Sequence, residues 1–332
     1  MNEVKTKVRI NKYDNLKGLA IFMIVLGHMA FLRKYDSISF IHDFVFLFDL
    51  PLFFFVAGYF SKIGPDEPVK AFKRLFVPFV IFRVLFELFS IFYLGKPPSN
   101  QMFIRPGYML WFLICLFIMK MLLPIFDKFR YPLVTAFILA LLIGFIKCNI
   151  LGISRVFTFM PIFLIGFYFK DYQSKLETNY KRLNGLLNKK STIILIAIIA
   201  LLISIIVAYE LPFRHIILKH PYHDFLIDII YRIIVLGIST LNVLVLNKIM
   251  TNSSNIFTKF GRASLTVYLL HGYIIILSKL YLKPVFANYP RRFIAFIFIF
   301  SFIITFILSR DIFTNILNKL FDGANNLILK NN

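Results

Sequence analysis

The chain has 332 residues, of which 59% are hydrophobic and 16% charged, with 42 phenylalanines and a mean hydropathy of +0.78. Ordinary globular domains carry roughly 25% charged residues, so a soluble fold could not clothe this much apolar surface, and disorder is excluded on the same ground. The formal net charge is +22, but Lys and Arg come in short bursts between apolar blocks, the pattern of cytoplasmic loops and not of a nucleic-acid-binding face; two cysteines, Cys115 and Cys148, exclude a disulfide framework and a four-thiolate zinc site.

A helix needs about 20 apolar residues to cross the hydrocarbon core. Ten candidate spans run near 15–32, 40–61, 75–95, 107–126, 131–150, 155–171, 191–209, 225–249, 263–283 and 291–313. The expectation is a single all-α unit over 1–332, a polytopic helical bundle of about ten transmembrane helices in the plasma membrane, with the lipid bilayer as solvent. With the N-terminus inside, the inner segments hold about twice as many Lys and Arg residues as the outer ones, which predicts an even number of spans and both termini cytoplasmic. The first span is not a cleaved signal peptide: no small-x-small site follows it. No internal repeat is present, and the longest hydrophilic stretch, 170–190, is too short to fold alone. Any chemistry is therefore built inside the bundle or at its mouths.

Ionisable side chains within a span are costly and are functional candidates by default. In the first span Lys17 and His28 are eleven residues apart, which places them on one helix face about 16 Å apart along the axis. Asp14 lies on the same stripe. An acid and a base thus stand at the cytoplasmic mouth and an imidazole near the midplane, where it can serve as a general base or stay merely hydrogen-bonded. Gly27 leaves room beside that imidazole. In the second span Pro51 predicts a broken helix and Gly58 a tight helix crossing; packing alone accounts for both. The cluster Lys70, Lys73, Arg74 at the entrance of the third span is either a positive-inside anchor or a phosphate site. Arg83 with Glu87, and Asp228 with Arg232, are each four apart and read as self-neutralising pairs. Trp111 fits an interfacial anchor, Arg155 opens the sixth span, and His271 has no evident partner. His42-Asp43 and His220…His223-Asp224 are of a type that binds metal, but their spacing is loose, and no metal is expected. No Gly-rich phosphate loop, Gly-x-Ser-x-Gly elbow or His-Glu-x-x-His is present.

Asp14-x-x-Lys17-Gly18 with His28 eleven residues on, Leu50-Pro51-Leu52-Phe53-Phe54-Phe55-Val56-Ala57-Gly58-Tyr59, Lys73-Arg74-Leu75-x-x-Pro78, Leu110-Trp111-Phe112-Leu113, Arg155 with Met160-Pro161, and Tyr268-Leu269-Leu270-His271 follow one another in order over nearly the whole chain. In this the sequence resembles the membrane-bound acyltransferase-3 family, and within it the fucose 4-O-acetylase-like branch. Two departures stand out: many members have arginine where Lys17 stands, and many have serine where Ala57 stands. The resemblance implies a ten-span enzyme with no bound cofactor that moves an acyl group, usually acetyl, from cytoplasmic acyl-CoA to a hydroxyl of a cell-envelope carbohydrate. It implies His28 as the catalytic histidine and Lys17, Lys73 and Arg74 as residues serving the acyl donor. On this basis His28 is expected to deprotonate the acceptor hydroxyl or to accept the acyl group itself. Asp14 is expected to orient Lys17 or an imidazole, and Trp111 to stack on a sugar ring or on adenine. Arg155 is expected to touch an acceptor bearing phosphate or carboxylate. The alternative is a polytopic transporter or flippase for a small solute or lipid-linked sugar, which midplane polar groups and broken helices also suit.

Overall fold

The computed structural model describes residues 9–30, 36–105, 109–147, 150–282 and 290–329. Cys148, and of the counted loop cations Lys5, Lys7, Arg33, Lys34, Lys283 and Lys330, lie outside these residues. Among the described residues all regular structure is helical: α1 (Asn11–Ala30), α2 (Asp36–Phe46), α3 (Asp49–Tyr59), α4 (Glu67–Ala71), α5 (Val77–Phe92), α6 (Trp111–Phe126), α7 (Pro132–Leu142), α8 (Ile153–Asn179), α9 (Lys181–Asn188), α10 (Lys190–Glu210), α11 (Phe213–Ile216), α12 (Phe225–Ile249), α13 (Ile256–Arg262), α14 (Ser264–Leu282), α15 (Pro290–Leu308) and α16 (Asp311–Ile328). A π-helical turn, Phe72–Phe76, joins α4 to α5, and a 3-10 turn, Ile143–Phe145, prolongs α7.

Each of the ten expected spans overlaps a helix or a helix pair among the described residues. By length and apolar composition six are able to cross a membrane on their own: Ser39–Tyr59, Glu67–Phe92, Ile153–Asn179, Lys190–Glu210, Phe225–Ile249 and Ser264–Tyr281. The pair α15 and α16, bent by 55°, adds a seventh if it is one span. Helix α6 and α7 with its 3-10 turn are apolar but shorter, and α1 carries Lys12, Asp14 and Lys17 in its first half. The second span is broken as Pro51 implies. The break itself falls at Leu47-Phe48, and Pro51 sits in the first turn of α3, where its missing N–H removes no helical hydrogen bond.

Helix α1 is the centre of the bundle, packed against α13, α2, α3 and α15. Its approach to α13 depends on glycine: a Cβ on Gly18 would strike the Phe257 carbonyl, and one on Gly261 the Asp14 carbonyl. Helices α3 and α8 cross in the same way, with Gly58 against the Phe163 carbonyl and Gly166 against that of Phe55. The tight crossing expected at Gly58 is thus reciprocal. An aromatic ladder ties the centre together, with Phe54 stacked on Phe159 at 5.0 Å, Phe112 beside Phe54 at 4.9 Å and Tyr268 beside Phe112 at 5.5 Å. Helix α10 is the opposite of α1: Ile194, Leu195, Ile198, Leu202 and Ile206 are exposed, a face suited to lipid.

Of the helical charge pairs, Arg83 and Glu87 meet at 2.9 Å, and Arg83 also donates to the Met102 carbonyl. The expected Asp228–Arg232 pair does not form. Asp228 pairs with Arg214 at 3.4 Å and His215 at 3.2 Å and accepts from the amides of His223 and Asp224. Arg232 donates to the carbonyls of Ala140 and His220 and lies over the Tyr222 ring. The loop before α12 folds back over the helix end and takes up Asp228, while the carbonyls of Ala140 in α7 and of His220 take up Arg232.

Candidate active site

The N-terminal half of α1 is anchored by polar contacts. The Asn15 amide donates to the carbonyls of Thr251 and Ser253 and accepts from the Thr258 hydroxyl. Asn255 and Thr258 close a capping box on α13. The Asp14 carboxylate is buried among cations: Lys17 at 2.8 Å, Arg9, and Arg262 at 3.8 Å. Asp14 therefore holds Lys17, not an imidazole, and lines neither of the cavities described next.

Two cavities lie along the same four helices. The first, about 330 Å³, is lined by Lys17 of α1, Phe53, Val56 and Ala57 of α3, Leu113, Leu116 and Lys120 of α6, and Ser264 and Leu265 of α14. Lys62, Lys70 and Arg74 complete it, so five cations face one acid, Glu67. The Lys120 ammonium donates to the Ser61 hydroxyl at 2.8 Å, and Lys70 pairs with Glu67 at 2.9 Å. Lys73, next to Arg74 in the π turn, is exposed and does not line this cavity. Lys70 and Arg74, four residues apart, share a helix face and line the cavity together.

The second cavity, about 340 Å³, contains His28 at the other end of α1, with Asp49 and Leu50 of α3, Trp111 of α6, Arg155 of α8, and His42 and Lys219. Phe112 and Tyr268 line both cavities and so form the wall between them. The Tyr268 hydroxyl is anchored on the Met109 carbonyl.

The His28 ring lies 5.4 Å from that of His271. The Val267 carbonyl 2.9 Å from His271 Nδ1 can only accept, so Nδ1 carries the hydrogen and Nε2 is the bare nitrogen. That Nε2 is buried with no hydrogen-bond partner among the described residues. Arg155 and Trp111, 44 positions apart in sequence, stack with the guanidinium carbon 3.8 Å from the ring centroid. Gly152, in the left-handed region at φ 68°, opens α8 where a Cβ would press on Cys115 Sγ at 2.7 Å, which brings the first turn of α8 against the first turns of α6. One face of Trp111 is thus already covered by Arg155.

Of the residues singled out from the sequence, His28, Trp111 and Arg155 share one cavity, Lys17 and Arg74 share the other, and Asp14 and Lys73 line neither. Asp49, His42 and Lys219 in the second cavity, and Lys62, Lys70 and Lys120 in the first, complete the two linings. Asp49 had a signal, an acid in the middle of an apolar run, but the lysines look like ordinary loop anchors until the fold brings them to one mouth. Among the described residues no group of three or more His, Cys, Asp or Glu side chains stands together to hold a metal ion.

Comparison with protein families places the acyltransferase-3 family, an acyltransferase domain, on residues 10–310, which includes every residue lining either cavity. The chain belongs to the acyltransferase-3 family. No curated protein and no solved structure matches it. Membership points to an acyl-transferring enzyme, and the long apolar helices mark this acyltransferase-3 chain as a membrane protein.

Proposed function

We propose that the chain is a ten-span O-acyltransferase of the cell envelope, both termini cytoplasmic, that moves an acyl group, usually acetyl, from cytoplasmic acyl-CoA to a hydroxyl of a carbohydrate, in the manner of the fucose 4-O-acetylase-like branch. The observation that carries it is the pair of cavities along α1, α3, α6 and α14, one lined by cations and the other by His28, with Phe112 and Tyr268 lining both. The cations Lys17, Lys62, Lys70, Arg74 and Lys120 suit the phosphates of CoA, which bind by charge-assisted hydrogen bonds. The apolar lining from Phe53 to Leu116 suits the pantetheine arm. All five cations belong to segments read from the sequence as inner, and Arg155 and Lys219 to segments read as outer, which supports the proposed sidedness.

In this mechanism the thioester carbonyl reaches His28 when the Tyr268 and Phe112 side chains swing aside. The imidazole takes the hydroxyl proton as the acceptor oxygen attacks the carbonyl carbon. The tetrahedral intermediate collapses with cleavage of the C–S bond, and the departing thiolate takes its proton from the imidazolium. His271 packs against His28 and keeps its ring in place. The test is to supply membranes with radiolabelled acetyl-CoA. Label in envelope polysaccharide or lipid-linked sugar is the expected result. Solute uptake with no label transferred would overturn the proposal in favour of a transporter.

A further inference from the structure

Arg155 is the anomaly of the second cavity. The two buried arginines among the described residues have partners in the protein: Arg83 meets Glu87 and the Met102 carbonyl, with only its Nη1 left over, and Arg232 donates to the carbonyls of Ala140 and His220. Arg155 makes no ion pair and no hydrogen bond from its guanidinium among the described residues, and its Nε is buried. Arg155 is half-buried: its Nε is shut in beside the Trp111 face, and its terminal N–H groups open into the cavity with no protein acceptor among the described residues. Its position does not serve the helix either, because a cation in the first turn of α8 opposes the helix dipole. Stacking on Trp111 leaves the in-plane edge of the guanidinium free, the edge that grips an oxyanion with two parallel hydrogen bonds. A second cation, Lys219, lines the same cavity from an exposed loop; partial loss of hydration first and the Arg155 charge second push its ammonium below the ordinary lysine value. The cavity's one carboxylate, Asp49, accepts from the Leu50 amide and pairs with neither cation.

Two cations, Arg155 and Lys219, thus line one cavity with His28, and neither pairs with its one acid among the described residues, Asp49. The geometry points to an acceptor that carries an acidic group, a sugar carboxylate or phosphate, gripped by Arg155 and Lys219 while a neighbouring hydroxyl faces His28, an inference that rests on the acyl-transfer function proposed above. The acid group then selects the acceptor and sets which hydroxyl is presented.

Trp111 is the only tryptophan in the chain and reports on this cavity directly. The purified protein in lipid nanodiscs, with no acyl donor, is titrated with glucuronate, glucose 1-phosphate and methyl glucoside while Trp111 emission is followed. At least one acid-bearing sugar should give a saturable change, with affinity about tenfold or more above the neutral glucoside. The carboxylate and phosphate arms separate the two sources of the anion. Arg155→Gln, measured against its own unliganded emission, should erase the preference, and Lys219→Gln should shrink it. Lys219 is exposed on a loop, so that variant keeps the test in force if Arg155→Gln does not fold. Equal affinity for charged and neutral sugars, no response to any of the three, or a preference that survives both substitutions overturns the inference. Because no donor is present, failure here leaves acetyl transfer standing, and failure of acetyl transfer leaves an anion site standing.

Discussion

The two cavities are nearly equal in volume, about 330 and 340 Å³, and share four helices, yet they differ in kind. The first is an apolar slot with cations at its mouth, where the Lys120 and Lys70 ammoniums already have partners and water can reach the rest. The second is a mixed chamber that places an imidazole, a carboxylate, a stacked guanidinium and an indole around one space. Diffuse charge over an apolar slot suits a long anionic molecule held by its phosphates. Directed donors around an imidazole suit a smaller molecule that must be oriented. Under the proposed mechanism one bundle separates grip from chemistry along a single helix, α1, whose Lys17 lines one cavity and His28 the other.

That division is open to direct challenge. The largest effect is expected from His28→Ala, which should lower acetyl transfer by at least about a hundredfold, the usual contribution of a positioned acid–base group, while the protein still inserts and folds. Transfer at the parental rate in membranes holding equal amounts of protein would remove His28 from the mechanism. Arg74→Ala should raise the KM for acetyl-CoA about tenfold with a smaller change in kcat, as befits a charge-assisted contact to the donor. It should leave the Trp111 response to acid-bearing sugars untouched, and a change there would mean that the cavities are not separate. Tyr268→Ala should breach the wall and raise acceptor-independent hydrolysis of acetyl-CoA a few-fold, read as free thiol released. The smallest effect concerns pH. Because partial loss of hydration and the Arg155 charge lower the Lys219 pKa, its charge is lost as pH rises at values below the ordinary lysine range. Affinity for an acid-bearing sugar should therefore fall with rising pH, and Lys219→Gln should remove that part of the pH dependence.

Much of the architecture is legible in the sequence because it is written in local patterns. Apolar runs bounded by Lys and Arg mark the helices, and each of ten runs overlaps a helix or a helix pair among the described residues. The face shared by Lys17 and His28 follows from helical period alone. The limit appears where partners come from elsewhere in the chain. Asp228 and Arg232 stand at the right spacing for a pair, but the loop before α12 takes up Asp228, and the carbonyls of Ala140 in α7 and of His220 take up Arg232. Lys73 and Arg74 are adjacent and equivalent in sequence, and only the folded chain shows that Arg74 lines the cavity and Lys73 does not.

Helix-forming, membrane-seeking character and the position of the imidazole on its helix were determined by the sequence itself, because hydropathy and helical period act over a few turns of one segment. Which cations gather at one mouth, that Arg155 lies on Trp111 with no acid to answer it, and that His28 and Lys17 open into different cavities was decided only by the tertiary structure. Those relations depend on how glycine-lined helices cross, such as α3 at Gly58 on α8 at Gly166, and a crossing joins residues that no local period connects.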